Sequence, residues 1–281
     1  MPINYRHPAY SNFTEAKADA DEFMSLIARH DKGEDMSAEL SKYVRSETPK
    51  AIITLTTWAK RINLVYVTIY SLLKQGKDYR IILVLSEDEF PNKVVPKSIV
   101  LLNKYKLIEI LWVKRNIRMF KKLLPTIKYC MDNGLHLPII TCDDDCVYSF
   151  SMCDDLMRGY SINGTVNTVF VWKVGGYRIQ GGYGTLYPPE IFGKFIYLAT
   201  AIFDDDIIAT NADDEFYAVI LRSMGISPVS VYGNESGYET IRIDSITQPF
   251  IQHSQDVRRK AMREPPILRL VQGKMNSVFF R

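Results

Sequence analysis

Four apolar, β-branched runs, separated by amphipathic or polar chain, constrain the fold more than any other feature of the sequence. They are Ala51-Ile-Ile-Thr-Leu-Thr56, Arg80-Ile-Ile-Leu-Val-Leu85, residues 107–113 and residues 137–142. Runs of this kind suit strands buried on both faces, the environment of a parallel sheet covered by helices. Between them, residues 64–74 read as a helix, residues 86–106 as an acidic loop and polar crossover, and residues 120–131 as an amphipathic stretch. Strands alternating with helices predict parallel βαβ units, whose ligands bind beyond the carboxyl ends of the strands. That rule gathers four loops on one edge: residues 56–61, the acidic loop near Glu87, the basic loop 115–122, and the acids 143–145.

The last of these loops is the most chemically loaded. In Pro138-Ile-Ile-Thr-Cys-Asp-Asp-Asp-Cys-Val-Tyr148 an apolar run ends in Asp143, Asp144 and Asp145. Adjacent carboxylates repel one another unless a cation or donors neutralise them. If the extended chain continues past Thr141, Asp143 and Asp145 point to one side and Asp144 to the other, which marks Asp144 as the most replaceable of the three. Hard oxygen ligands suit Mg2+ or Mn2+, which bridge readily to substrate phosphates. The plain alternative is a solvated acidic turn. The Lys/Arg cluster at 114–122 favours the first reading, because a metal-bound diphosphate needs carboxylates for the ion and cations for its remaining charge.

Further along, glycine and tyrosine concentrate in Gln180-Gly-Gly-Tyr-Gly-Thr-Leu-Tyr-Pro-Pro189, which fits either close approach of backbone to a sugar or a tight hairpin turn. It lacks the glycine order of a dinucleotide fingerprint. Asn211-Ala-Asp-Asp-Glu-Phe-Tyr217 is predicted to open a helix that runs to Met224 and stops at Gly225, with Asp213 and Asp214 in its first turn. They serve there as caps, or one of them faces the pocket as a general base. His253 is a weak candidate metal ligand.

Composition narrows the class. With 281 residues, 47% hydrophobic and 24% charged, the chain can bury one large or two small globular cores. A net charge of +3 gives no electrostatic case for nucleic acid as a partner. No secretory signal order and no apolar run long enough to span a bilayer is read, so a cytoplasmic protein is expected. The basic stretch 246–281, with apolar residues interleaved, is either a docked tail or a peripheral contact with an anionic membrane face. Cys130, Cys142, Cys146 and Cys153 do not have the spacing of zinc knuckles and are expected to be small buried hydrophobes. Three regions are expected: a helical appendage over 1–49 (helices at 12–30 and 36–44), a core domain over 50–245, and the tail over 246–281.

In succession, Leu55-Thr-Thr-Trp-Ala-Lys-Arg61, Ser71-Leu-Leu-Lys-Gln75, Ile82-Leu-Val-Leu-Ser-Glu-Asp-Glu-Phe-Pro91, Phe120-Lys-Lys-Leu-Leu-Pro125, the 138–148 segment, Gly181-Gly-Tyr-Gly-Thr-Leu-Tyr-Pro-Pro189 and Asp213-Asp-Glu215 resemble a known pattern. It is that of bacterial GT-A-fold glycosyltransferases of surface polysaccharide and lipopolysaccharide synthesis, and it covers roughly residues 50–225. The resemblance implies a GT-A fold, a Rossmann-like nucleotide-binding sheet with a DxD-type motif. It implies transfer of a sugar from a nucleotide-diphosphate sugar donor to a hydroxyl of a saccharide or lipid-linked acceptor, with Mn2+ or Mg2+ as cofactor.

Residue by residue, the resemblance implies that Thr56, Thr57, Trp58 and Arg61 hold the nucleotide and that Lys121 or Lys122 meets its phosphates. Asp143, with Asp144 beside it, contacts the donor ribose or sugar. Asp145 binds the metal, with Asp143 and His253 as further ligands. Gly181, Gly182 and Tyr183 line the acceptor side, and Asp213 or Asp214 activates the acceptor. Two other readings stand beside this one. The apolar run and Asp-x-Asp also fit a haloacid-dehalogenase-like phosphohydrolase with Asp143 as nucleophile and Asp145 as acid/base, although three strand-like runs precede the motif here. An inactive sugar-binding scaffold is the third.

Overall fold

The computed structural model describes residues 10–163, 168–171, 174–175, 178–179, 184–202, 213–231 and 241–242. Helix α1 (Phe13–Asp31) is capped by Asn12, whose side chain accepts from the Glu15 amide at 3.0 Å. After the short α2 (Ser37–Leu40), β1 (Ala51–Thr56) leads to α3 (Val65–Leu73), β2 (Tyr79–Ser86), α4 (Lys97–Lys104) and β3 (Glu109–Val113). A 3-10 turn, Arg118–Lys122, precedes α5 (Leu124–Asp132). Then come β4 (Ile139–Thr141), β5 (Cys146–Val147), α6 (Met152–Asn163), β6 (Phe170–Val171), β7 (Val174–Gly175), β8 (Arg178–Ile179) and β9 (Thr185–Tyr187). The described chain closes with α7 (Phe192–Ile202), α8 (Asp213–Ser223), β10 (Val229–Ser230) and β11 (Ile241–Arg242).

Seven strands form one sheet in the order β10-β6-β9-β4-β1-β2-β3. Strands β3, β2, β1 and β4 are mutually parallel, as the alternating strand and helix runs require, with Thr54 opposite both Ile82 and Thr141. Beyond β4, the antiparallel β9 intervenes before β6 and β10. The fold is therefore α/β with a mostly parallel sheet.

Alternate residues of the central strands feed two separate cores. Ile53, Leu55, Ile81, Leu83 and Leu85 pack with residues of α1, α3, α4 and α6. Ile52, Ile82 and Val84 pack on the other face with residues of α5, α7 and α8. Both faces of β1 and β2 are sealed, and each fully buried Ile or Leu contributes about 1.5–3 kcal/mol relative to exposure. Helix α1 places Ala16, Ala20, Phe23 and Ile27 in the first of these cores, so the amino-terminal helix is built into the domain's packing.

The expected boundaries shift in several places, and the helix expected over 36–44 is found only as Ser37–Leu40. The fourth strand is shorter than residues 137–142, because the acids after it form a turn. The amphipathic stretch 120–131 divides into the 3-10 turn and α5, with Pro125 in the first turn of α5, where a missing amide costs nothing. The polar crossover after β2 contains α4, whose Ile99, Leu101 and Leu102 are buried. Among the described residues no helix is long and apolar enough to cross a membrane. Residues 180–183 of the glycine-rich segment and all of the tail, with Gly181, Gly182, Tyr183 and His253, lie outside the described residues.

Candidate active site

From β1 the chain proceeds outward through β2 to β3, whereas β4 lies on the other side of β1. The sheet therefore reverses its order between β1 and β4, and open α/β sheets take their ligands at such a reversal, in the crevice beyond the carboxyl ends of the strands. The loop after β1 and the acidic turn after β4 meet across it.

The turn is held from beneath. Backbone pairing carries one residue past β4, the Cys142 amide donating to the Thr54 carbonyl at 2.9 Å. The Asp143 amide then donates to the hydroxyl of the buried Tyr148 at 2.7 Å. From α3, Thr68 Oγ1 donates to the Asp144 carbonyl at 2.9 Å, and Ser71 Oγ accepts from the Tyr148 amide at 3.1 Å. On the far side, β5 pairs with β11, bringing distant chain beside the acids.

Because residues 143–145 turn rather than extend, the strand alternation expected for the acids does not arise. Asp144 and Asp145 share Arg61. The guanidinium Nη1 pairs with Asp144 Oδ1, and Nη2 lies 3.6 Å from Asp145 Oδ2. Thr57 Oγ1 donates to Asp144 Oδ2 at 2.5 Å. Burial pushes the Asp144 carboxyl up to about 6, with Asp145 adding to the rise and Arg61 opposing it. Far from being the most replaceable acid, Asp144 is buried and satisfies two donors of the loop after β1. Truncating it would leave both donors unpaired.

Asp143 faces the other way. Its Oδ1 lies 2.7 Å from Lys122 Nζ, and the same ammonium lies 2.9 Å from Asp213 Oδ2, in the first turn of α8. The Lys122 and Asp213 side chains are 4% and 5% exposed and that of Asp143 is 29% exposed. Burial alone would lower the Lys122 pKa, but Asp143, Asp213 and Asp214 outweigh it and hold the lysine well above its ordinary value. Burial raises Asp213, with Lys122 opposing and Asp143 reinforcing the rise. The segment carrying Lys122 is itself clamped. Thr54 Oγ1 and Thr126 Oγ1 donate to the Lys122 carbonyl at 2.7 and 3.0 Å, and the Tyr217 hydroxyl donates to the Phe120 carbonyl at 3.2 Å.

Lys121, expected as a phosphate partner, pairs with Glu89 Oε2 at 2.7 Å and is buried. Glu89 Oε1 also accepts from the Ala59 amide at 3.3 Å, so Glu89 ties the loop after β2 to the loop after β1. Neither lysine is presented to solvent. Thr56 donates to the Val84 carbonyl at 2.7 Å, while Trp58, in the loop after β1, is half-buried with Lys60 5.4 Å from its ring. The structure thus brings together Thr57, Arg61, Lys122, Asp143, Asp144, Asp145 and Asp213, with Asp214 half-buried beside Asp213. Sequence reasoning missed Glu89, Thr68, Ser71 and Tyr148 as supports. Only the polar character of Thr68 and Ser71 inside an otherwise apolar helix could have signalled two of them.

Carboxylates are the chemistry a divalent ion takes. Among the described residues no three His, Cys, Asp or Glu side chains converge on one point. The acids split between Lys122 and Arg61, so the residues present fit an ion that takes one or two protein carboxylates and completes its shell with substrate phosphates and water. All four cysteines are buried and none forms a disulfide.

No family model matches the chain, and no curated protein matches it. Solved structures similar to it include a mannosyltransferase from Pyrobaculum calidifontis in complex with GDP-Man and Mn2+, at 12% identity and a TM-score of 0.47 over 93% of this chain and 78% of that one. A cytidylyltransferase from Leptospira borgpetersenii serovar Hardjo-bovis aligns at 11% identity and 0.48, over 78% of this chain and 97% of that one. The 2-C-methyl-D-erythritol 4-phosphate cytidylyltransferase of Francisella tularensis aligns at 10% identity and 0.44, over 74% and 99%.

Proposed function

We propose that the chain is a metal-dependent glycosyltransferase of GT-A type, moving a sugar from a nucleotide-diphosphate sugar to an acceptor hydroxyl. One observation carries the reading: the acidic turn after β4 and the first-turn acids of α8 meet on one buried lysine, so donor-side and acceptor-side carboxylates border a single crevice. The phosphohydrolase reading needs its nucleophile on the first strand of the domain, whereas Asp143 follows the fourth.

In this reading the loop carrying Thr57, Trp58 and Arg61 binds the nucleotide, and Asp143 orients the donor ribose or sugar. Asp145, with a neighbouring acid, would hold Mn2+ or Mg2+, which when bound takes up charge developing on the leaving diphosphate. Asp213 is buried against Lys122, while Asp214 is half-buried next to it. Asp214 is accordingly our choice for the carboxylate that accepts the acceptor's proton as the oxygen attacks the anomeric carbon. Such direct attack inverts the anomeric centre, which NMR of the product reads directly.

The acceptor in this proposal is a saccharide or lipid-linked hydroxyl of surface polysaccharide or lipopolysaccharide synthesis. The enzyme works in the cytoplasm, with the basic stretch 246–281 touching the membrane's anionic face; sedimentation with anionic but not neutral vesicles tests this. A panel of nucleotide-sugars screened for thermal stabilisation, with and without Mn2+, tests the donor. We expect one donor class to raise the Tm, more strongly with the ion, and no shift with any donor would count against the proposal.

A further inference from the structure

We propose that Lys122 is a positioning residue that fixes the first turn of α8 against the acidic turn after β4, and so sets the spacing of the two sides of the crevice. The inference rests on the glycosyltransferase reading and deepens it. The resemblance casts Lys122 as a phosphate ligand, but the side chain is almost wholly enclosed: its ammonium donates to Asp143 Oδ1 at 2.7 Å and forms an ion pair with Asp213 Oδ2 at 2.9 Å.

Stability alone gives no reason for such an arrangement, because a buried ion pair is often no better than apolar residues of the same volume. Geometry does give one. The lysine stands on the 3-10 turn packed against β1 and β2 and reaches both the turn after β4 and the first turn of α8, and its own backbone is held by hydroxyls of Thr54 and Thr126. Tyr217, one turn along α8 from Asp213, closes the same frame by donating to the Phe120 carbonyl. Strand β1, the 3-10 turn, α5 and α8 thus converge on one residue that touches both acids.

The test compares wild type with Lys122→Met and with Lys122→Met/Asp213→Asn, in which neither buried partner carries a charge and Asp143 remains partly solvated. We expect amide exchange in the first turn of α8 and at residues 143–146 to accelerate by about tenfold or more in the double variant, while β1 and β2 keep their protection. We also expect kcat to fall by about tenfold or more with donor KM within about threefold, the split a positioning role produces. Unchanged exchange at α8, or loss of protection throughout the sheet with KM and kcat moving together, would overturn the proposal. If wild type uses no nucleotide-sugar, the functional reading fails, and the exchange pattern by itself still decides the role of Lys122.

Discussion

Lys122 Nζ stands 2.9 Å from Asp213 Oδ2, and both side chains are almost wholly buried. A pair in that position couples the chain before α5 to the start of α8. Removing only the cation by Lys122→Met leaves an uncompensated buried carboxylate and should cost about 3–5 kcal/mol, measured by urea denaturation. Adding Asp213→Asn should recover most of that loss. A double variant no more stable than Lys122→Met would show that the ion pair is not what the fold requires there.

Arg61 gives a second, pH-dependent prediction. The Asp144 carboxyl is pushed up to about 6 from an ordinary 3.8, so between those values the folded chain binds more protons than the unfolded one. Stability from this group is therefore greatest at the acid end of that window and falls as pH rises through it, by on the order of 3 kcal/mol in full. Comparing metal-free wild type with Asp144→Asn across pH 4–7 isolates the slope, since the amide does not titrate. Arg61→Met, which removes the opposing charge, should destabilise more at pH 8 than at pH 5. Equal losses at both would refute the assignment.

The cysteines supply a third test. Burial raises the Cys130 thiol to about 11 and also raises the thiols of Cys142 and Cys153 well above the ordinary value. Thiols that are enclosed and protonated do not react. Native protein should therefore show no reaction with a disulfide reagent on the timescale of minutes, and unfolded protein should titrate all four. Fast labelling of Cys142, Cys146 or Cys153 in the native state would contradict the packing around the acidic turn, and fast labelling of Cys130 the packing of α5.

At Gly184 the backbone has φ +92, and an added Cβ would lie 2.6 Å from Met152 Sδ. Gly184→Ala should cost roughly 1–3 kcal/mol, from left-handed strain together with a thioether that must move. Thermal melting reads the change. A neutral substitution would mean that α6 and the entry to β9 do not meet as closely as described.

How far the sequence discloses this molecule follows from what each element depends on. The strands β1 and β2 were legible because both their faces are buried, so nearly every residue is apolar and no alternation confuses them. The helix after Asp213 announced itself through its acidic first turn and terminal Gly225. Residues 228–232 read as a strand and contain β10, whereas the two-residue β6 exists only by pairing with β9 and β10, and local pattern cannot show that. Helix α4 was hidden by lysines at both ends of a short apolar stretch.

In the site, the acids and cations were visible as residue types, but their partners were not. Alternation paired Asp143 with Asp145, whereas the turn pairs Asp144 with Asp145 on Arg61 and sends Asp143 to Lys122. Which cation meets which acid is settled by tertiary approach between β1, β4 and α8.

The central claim is that this crevice transfers a sugar from a nucleotide donor, and release of nucleoside diphosphate tests it most directly. Wild type, incubated with Mn2+ and a panel of nucleotide-sugars, should release nucleoside diphosphate from one donor class. Asp145→Ala, with the fold intact, should lose that activity by about a hundredfold, in line with loss of a metal or transition-state contact. No release from any donor, or a phosphorylated Asp143 formed from a phosphate ester, would contradict the account.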